Sequence, residues 1–137
     1  MSGVDSSCGV GVPCARLAAM VVGGGGGERL GGVSKPDLVF GGVRLVDRVC
    51  CALGEVADAG VVAIVPPSVR VPSGVACTLE DPPGGGPLAG IDAGLAALSV
   101  GADCWVIVVS VDCPGITDVL RCLLTEPLGI ACDGRIL

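Results

Sequence analysis

A chain of 137 residues has the length of one domain and can bury roughly two thirds of the surface its unfolded form exposes. Eight basic residues against fourteen acidic give a net charge of -6, with no run of Lys or Arg, so the electrostatic footprint of duplex nucleic-acid binding is missing. The chain has no histidine, which excludes a Ser-His-Asp or Cys-His nucleophilic site and leaves a zinc site only scattered ligands.

The expected elements follow in chain order. Residues 1–15 read as a flexible extension: Met1 to Pro13 is small and polar, carries Asp5 and lacks a basic stretch, so it is no secretory signal and a cytoplasmic location is expected. Arg16 to Val22 is an apolar run that stops at five glycines, Gly23 to Gly27, as a buried strand does when it empties into a loop. Leu45, Val46, Val49, Cys50, Leu53 and Val56 recur at helical spacing before Gly60 and predict a first helix over Leu45 to Val56. Val61 to Val65 is a β-branched run closed by Pro66 and Pro67, a second strand. After the break at Gly84 to Pro87, Leu88, Ile91, Leu95 and Leu98 mark one face of a helix ending near Gly101. Trp105 to Val111 is the most apolar strand and delivers Asp112 at its carboxyl end before Pro114 and Gly115. A helix from about Thr117 to Leu124 and a short strand around Gly129 to Cys132 complete a βαβαβαβ order.

The core must be aliphatic, because the apolar half of the composition is Val, Leu, Ala, Ile and Cys, with one Trp, one Phe and no Tyr. The fold class is therefore α/β, a mostly parallel sheet with helices on both faces. The longest central apolar stretch, Cys104 to Val111, is far short of the roughly 20 residues of a membrane span. The nine cysteines are odd in number, lack CxxC spacing and mostly lie in apolar runs, which reads as reduced core thiols.

Ligand sites of open α/β sheets lie at the carboxyl ends of the strands, and right-handed crossovers put the glycine run and Asp112 on the same edge. Glycines after a strand let backbone N-H groups approach a triphosphate closely, and the cations Arg29 and Lys35 follow within reach of the same anion. Lys35 is the only lysine of the chain. It follows Ser34 and precedes Pro36, which rejects a P-loop. No register of Gly23 to Gly32 gives glycines at i, i+2 and i+5, which rejects the dinucleotide fingerprint.

Three ordered motifs carry a resemblance. Val22-Gly-Gly-Gly-Gly-Gly-Glu-Arg29-Leu-Gly-Gly-Val-Ser-Lys35-Pro resembles the signature loop of the molybdenum cofactor guanylyltransferases and their wider nucleotidyltransferase relatives. Glu80-Asp-Pro-Pro-Gly-Gly-Gly-Pro-Leu-Ala-Gly-Ile91 is similar to that family's acidic residue and Gly-Pro-Leu-Ala-Gly stretch. Val109-Ser-Val-Asp-Cys-Pro114 resembles its strand-end Asp-x-Pro, and Cys132-Asp-Gly-Arg-Ile-Leu137 looks like the strand and turn that follow. The sequence departs from the pattern at Ser34, where an acidic residue is usual, and at Pro66 and Pro67, where an asparagine often stands.

The resemblance implies a three-layer Rossmann-like nucleotidyltransferase fold of the nucleotide-diphospho-sugar transferase type over residues 16–137, shortened at its carboxyl end. It implies transfer of GMP from GTP to a molybdopterin-type cofactor with release of pyrophosphate. Val22, Gly23 and Gly24 would touch the nucleotide through backbone, Lys35 its phosphates and Asp81 the nucleoside. Asp112 would bind magnesium, and Arg29, Lys35 and Asp112 would be the catalytic residues. No nucleic acid or membrane partner is expected, whereas self-association or a partner would cover the shortened edge. Two other readings stay open: transfer to a different phosphorylated acceptor, and a non-catalytic GTP-binding fragment. Each site residue also has a purely structural reading, Asp112 as a helix cap, Asp81 as the start of a turn with Pro82, and Arg29 as a solvated charge.

Overall fold

The computed structural model describes residues 16–23, 29–30, 33–82 and 84–125. In chain order the elements are strands β1 (Arg16–Val22), β2 (Arg29–Leu30) and β3 (Val33–Ser34), then a 3-10 turn (Lys35–Asp37), β4 (Val39–Phe40) and β5 (Val43–Arg44). They continue with α1 (Leu45–Gly54), β6 (Val61–Ile64), β7 (Ala76–Thr78), α2 (Pro87–Leu98), β8 (Cys104–Ser110) and α3 (Ile116–Thr125). The predicted strand at Gly129 to Cys132 lies outside the described residues.

The main sheet has the order β7-β6-β1-β8, and every neighbouring pair in it is parallel. β1 is central, and Ala18, Ala19, Met20 and Val21 are wholly buried, as expected for a strand covered on both faces. Side chains alternate across it. Ala19 and Val21 join Ala63, Val65, Val109 and Val111 against Val46, Val49 and Leu53 of α1 and Ile116 and Leu120 of α3. Met20, Val62 and Ile64 face the other way, packed with Ile91 and Leu98 of α2. The fold is α/β, with helices on both faces of a parallel sheet, and it agrees with a Rossmann-like nucleotidyltransferase domain.

Two expectations need correction. The predicted face of α2 included Leu88 and Leu95, yet these are 81% and 43% exposed. The buried residues of the helix are Gly90 and Gly94. A Cβ on Gly94 would stand 3.0 Å from Ile64 Cδ1 and 3.1 Å from Met20 Cε, so the helix lies on the sheet at a distance that leaves no room for a side chain there. Core thiols were also expected, but among the described residues only Cys50 is buried; Cys51, Cys77 and Cys122 are exposed, and Cys104 and Cys113 intermediate. Cys51 follows Cys50 on α1 and is rotated off the buried face by about 100°, while Cys77 sits on the edge strand β7.

Three features were not predicted. β7 adds a fourth strand through Val62–Ala76, Ala63–Cys77 and Ile64–Thr78 pairing. β2 and β3 form one antiparallel ribbon, β4 and β5 another. In the second ribbon Gly41 and Gly42, with φ of 59° and 81°, take the two central positions of a hairpin turn that demands positive φ. α1 ends at Gly54, two residues before the expected Val56. Among the described residues no helix is long and apolar enough to cross a membrane.

Candidate nucleotide site

Because β1 and β8 are parallel neighbours in register from Arg16–Cys104 to Val22–Ser110, their carboxyl ends finish side by side. Val111 continues the pairing by donating its N-H to the Val22 carbonyl at 3.0 Å, and Asp112 follows it at the sheet edge. From the other side comes Lys35, in the turn after β3. Its ammonium lies 3.3 Å from Asp112 Oδ2, across 77 residues of sequence. Both groups keep access to water, so the pair contributes little stability. Its interest is that it presents a cation and a carboxylate together at the carboxyl ends of the strands, where open α/β sheets place ligands.

Ser110, unremarked in the sequence, lies two residues before Asp112 and donates its hydroxyl to Asp112 Oδ1. That hydrogen bond, with Lys35 behind it, holds the Asp112 carboxyl below the usual carboxylate range. The side chain is thus kept ionised, with one oxygen fixed by Ser110 and the other turned to a cation.

Lys35 is held where it is by its neighbours. Pro36 is buried beside Gly23, where a Cβ would come within 3.3 Å of the proline Cγ, 2.5 Å of Val65 Cγ1 and 2.9 Å of the Ile64 carbonyl oxygen. Only glycine lets the end of β1 pass that close to β6 and the lysine turn. Gly23 donates its own N-H to the Ile64 carbonyl at 2.9 Å, so this amide is already spent on the sheet. The rest of the glycine run, Gly24 included, lies outside the described residues.

Arg29 pairs with Ser34 across the β2–β3 ribbon, which sets its backbone beside that of Lys35; its side chain lies outside the described residues. Asp81 is exposed in the loop after β7, on the same edge as Asp112 but not part of its ion pair. The loop is closed by Glu80, whose carboxylate accepts the Gly84 N-H at 2.8 Å, and by Gly85 donating to the Pro82 carbonyl. The structure thus brings Lys35, Asp112 and the β1 terminus together, and leaves Asp81 on a separate loop.

The Lys35–Asp112 pair thus joins the turn after β3 to the residue run that follows β8, beyond the carboxyl ends of the parallel strands. A family model described as the MobA-like NTP transferase domain matches residues 19–129. The chain belongs to this family. No curated protein matches it. The matched stretch takes in β1 from Ala19 onward, the lysine turn, α2 and Asp112, so the chain carries a nucleotidyltransferase domain. Among its described residues no three His, Cys, Asp or Glu side chains gather as a metal cluster. Magnesium fits this donor set only as an ion that takes one or two protein carboxylates and completes its shell with phosphate oxygens and water. Asp112 offers such a hard oxygen, at the place where the Lys35 ammonium now supplies the positive charge.

Proposed function

We propose that this MobA-like domain is a molybdenum cofactor guanylyltransferase, moving GMP from GTP to a molybdopterin-type acceptor with release of pyrophosphate. The observation that carries the reading is the Lys35–Asp112 pair, built from the turn after β3 and the segment after β8, 77 residues apart. Attack of the acceptor phosphate on the α-phosphorus needs no protein nucleophile, which suits a chain without histidine. What it needs is alignment and neutralisation of charge on the phosphates. In this reading Lys35 and Arg29 contact the phosphates, the backbone of Val22 to Gly24 borders the nucleotide, and Asp81 holds the nucleoside. Asp112 holds magnesium, which would neutralise phosphate charge when bound.

The test is thermal unfolding with GTP, ATP and CTP, each with and without magnesium, for the wild type and Lys35→Ala. A nucleotide at about a hundred times its dissociation constant adds roughly 2.7 kcal/mol. A magnesium-dependent rise with GTP that disappears in Lys35→Ala supports the site, and transfer to molybdopterin is then assayed directly. A rise shared by all three nucleotides sinks the guanine preference, and no rise with any of them sinks the nucleotide site.

A further inference from the structure

The turn that carries Lys35 is tied down by one guanidinium. Arg44, the residue before α1, donates from Nε and Nη2 to the two oxygens of Asp47 at 2.8 Å each. It donates from Nη1 to Asp37 Oδ1 at 2.9 Å and from Nη2 to the Arg70 carbonyl at 2.8 Å. The second oxygen of Asp37 accepts the Ser34 hydroxyl, so the residues on both sides of Lys35 and Pro36 hang on the same network. Backbone bonds run in the same sense: Leu38 N-H to the Lys35 carbonyl at 3.2 Å, and Leu45 N-H to the Leu38 carbonyl at 2.8 Å.

A planar guanidinium can join three acceptors in fixed directions where an ammonium cannot. We infer that Arg44 is a positioning residue that sets the Lys35 ammonium against Asp112 by locking the Ser34–Asp37 turn onto the first turn of α1 and the segment after β6. It also neutralises Asp37, a carboxylate two residues from Lys35 that would otherwise repel a phosphate ligand. The binding consequence rests on the nucleotide reading above, but the positioning claim does not.

Lys35 is the only lysine, which makes its contacts separately readable. A water-soluble carbodiimide condenses an amine with a carboxylate only when the two already touch, and peptide mapping identifies the Lys35–Asp112 product. The wild type is expected to give this product. Arg44→Gln, and Asp37→Asn, which leaves the Arg44–Asp47 pair intact, are expected to lower its yield about tenfold, as for residues that orient a binding group. Asp92→Asn, on the exposed side of α2, is expected to keep it. Should Arg44→Gln fail to unfold cooperatively, Asp37→Asn decides. Unchanged yield in the folded variants, or no product in the wild type, overturns the inference. Affinity for GTP with magnesium is measured alongside and is expected to fall with the yield; a wild type that gives the crosslink but binds no nucleotide removes the functional reading and leaves the brace standing.

Discussion

Cys50 and Cys51 are adjacent in sequence, one buried and the other exposed. Cys50 is 2% exposed, and its burial, with Asp47 nearby, pushes its thiol from 9.0 up to about 12. Thiolate is the reactive form, so an aromatic disulfide reagent is expected to modify Cys51 and Cys122 in the native chain and to spare Cys50. Peptide mapping checks this, and rapid labelling of Cys50 under native conditions would show that α1 is not packed as described. At this same scale the site was partly legible. Lys35 and Asp112 stand out as a lone lysine after a glycine run and an acid at the end of an apolar strand. Ser110 was findable too, since alternation along an extended chain puts it on the side of Asp112. Arg44 was not, because its partners Asp37, Asp47 and the Arg70 carbonyl meet only after the β4–β5 hairpin and the segment after β6 are in place.

Helix α2 shows where periodicity misleads. Of Leu88, Ile91, Leu95 and Leu98, which recur at helical spacing, Ile91 and Leu98 do pack on the sheet, but the helix buries its glycines, because Gly90 and Gly94 face Ile64 and Met20. A hydrophobicity pattern gives no weight to a residue whose contribution is the absence of a side chain. Gly94→Leu forces four carbons into that contact and is expected to cost about 1–3 kcal/mol by overpacking, while Leu95→Ala on the half-exposed side should cost less. Denaturant unfolding of both variants tests the orientation of the helix, and the reverse order would place the leucine face inward. The strands read more easily: β1 coincides with its expected bounds, and β6 and β8 lie within one residue of theirs, since long β-branched runs are unambiguous. β7 is three residues long and the two ribbons have two-residue strands, too short for any period to register. Only the Gly41-Gly42 pair between Val39-Phe40 and Val43-Arg44 offered a hairpin signal.

For the molecule as a whole, the buried thiol makes alkali a selective denaturant. In the unfolded chain Cys50 ionises from its ordinary 9.0, whereas folding holds it protonated to about 12. Between those values the unfolded state binds fewer protons, so stability falls as pH rises, by about 1.4 kcal/mol per pH unit. The chain has no Tyr and one Lys but nine cysteines, so the part due to Cys50 is isolated by comparison with Cys50→Ala. Unfolding free energies at about pH 8 and about pH 10.5 should differ in the wild type and much less in Cys50→Ala; equal slopes would show that Cys50 is accessible in the native state. The order of the sheet also bears on how the protein comes into being. β1 is the earliest described strand, yet one of its neighbours, β8, begins at Cys104, and closing so long a loop is slow and entropically opposed. A growing chain that has released the glycine run and Lys35 but not β8 has no Asp112 to set beside them. Until β8 docks on β1 the pair does not exist, and a partly synthesised chain presents Lys35 without the carboxylate that faces it in the fold.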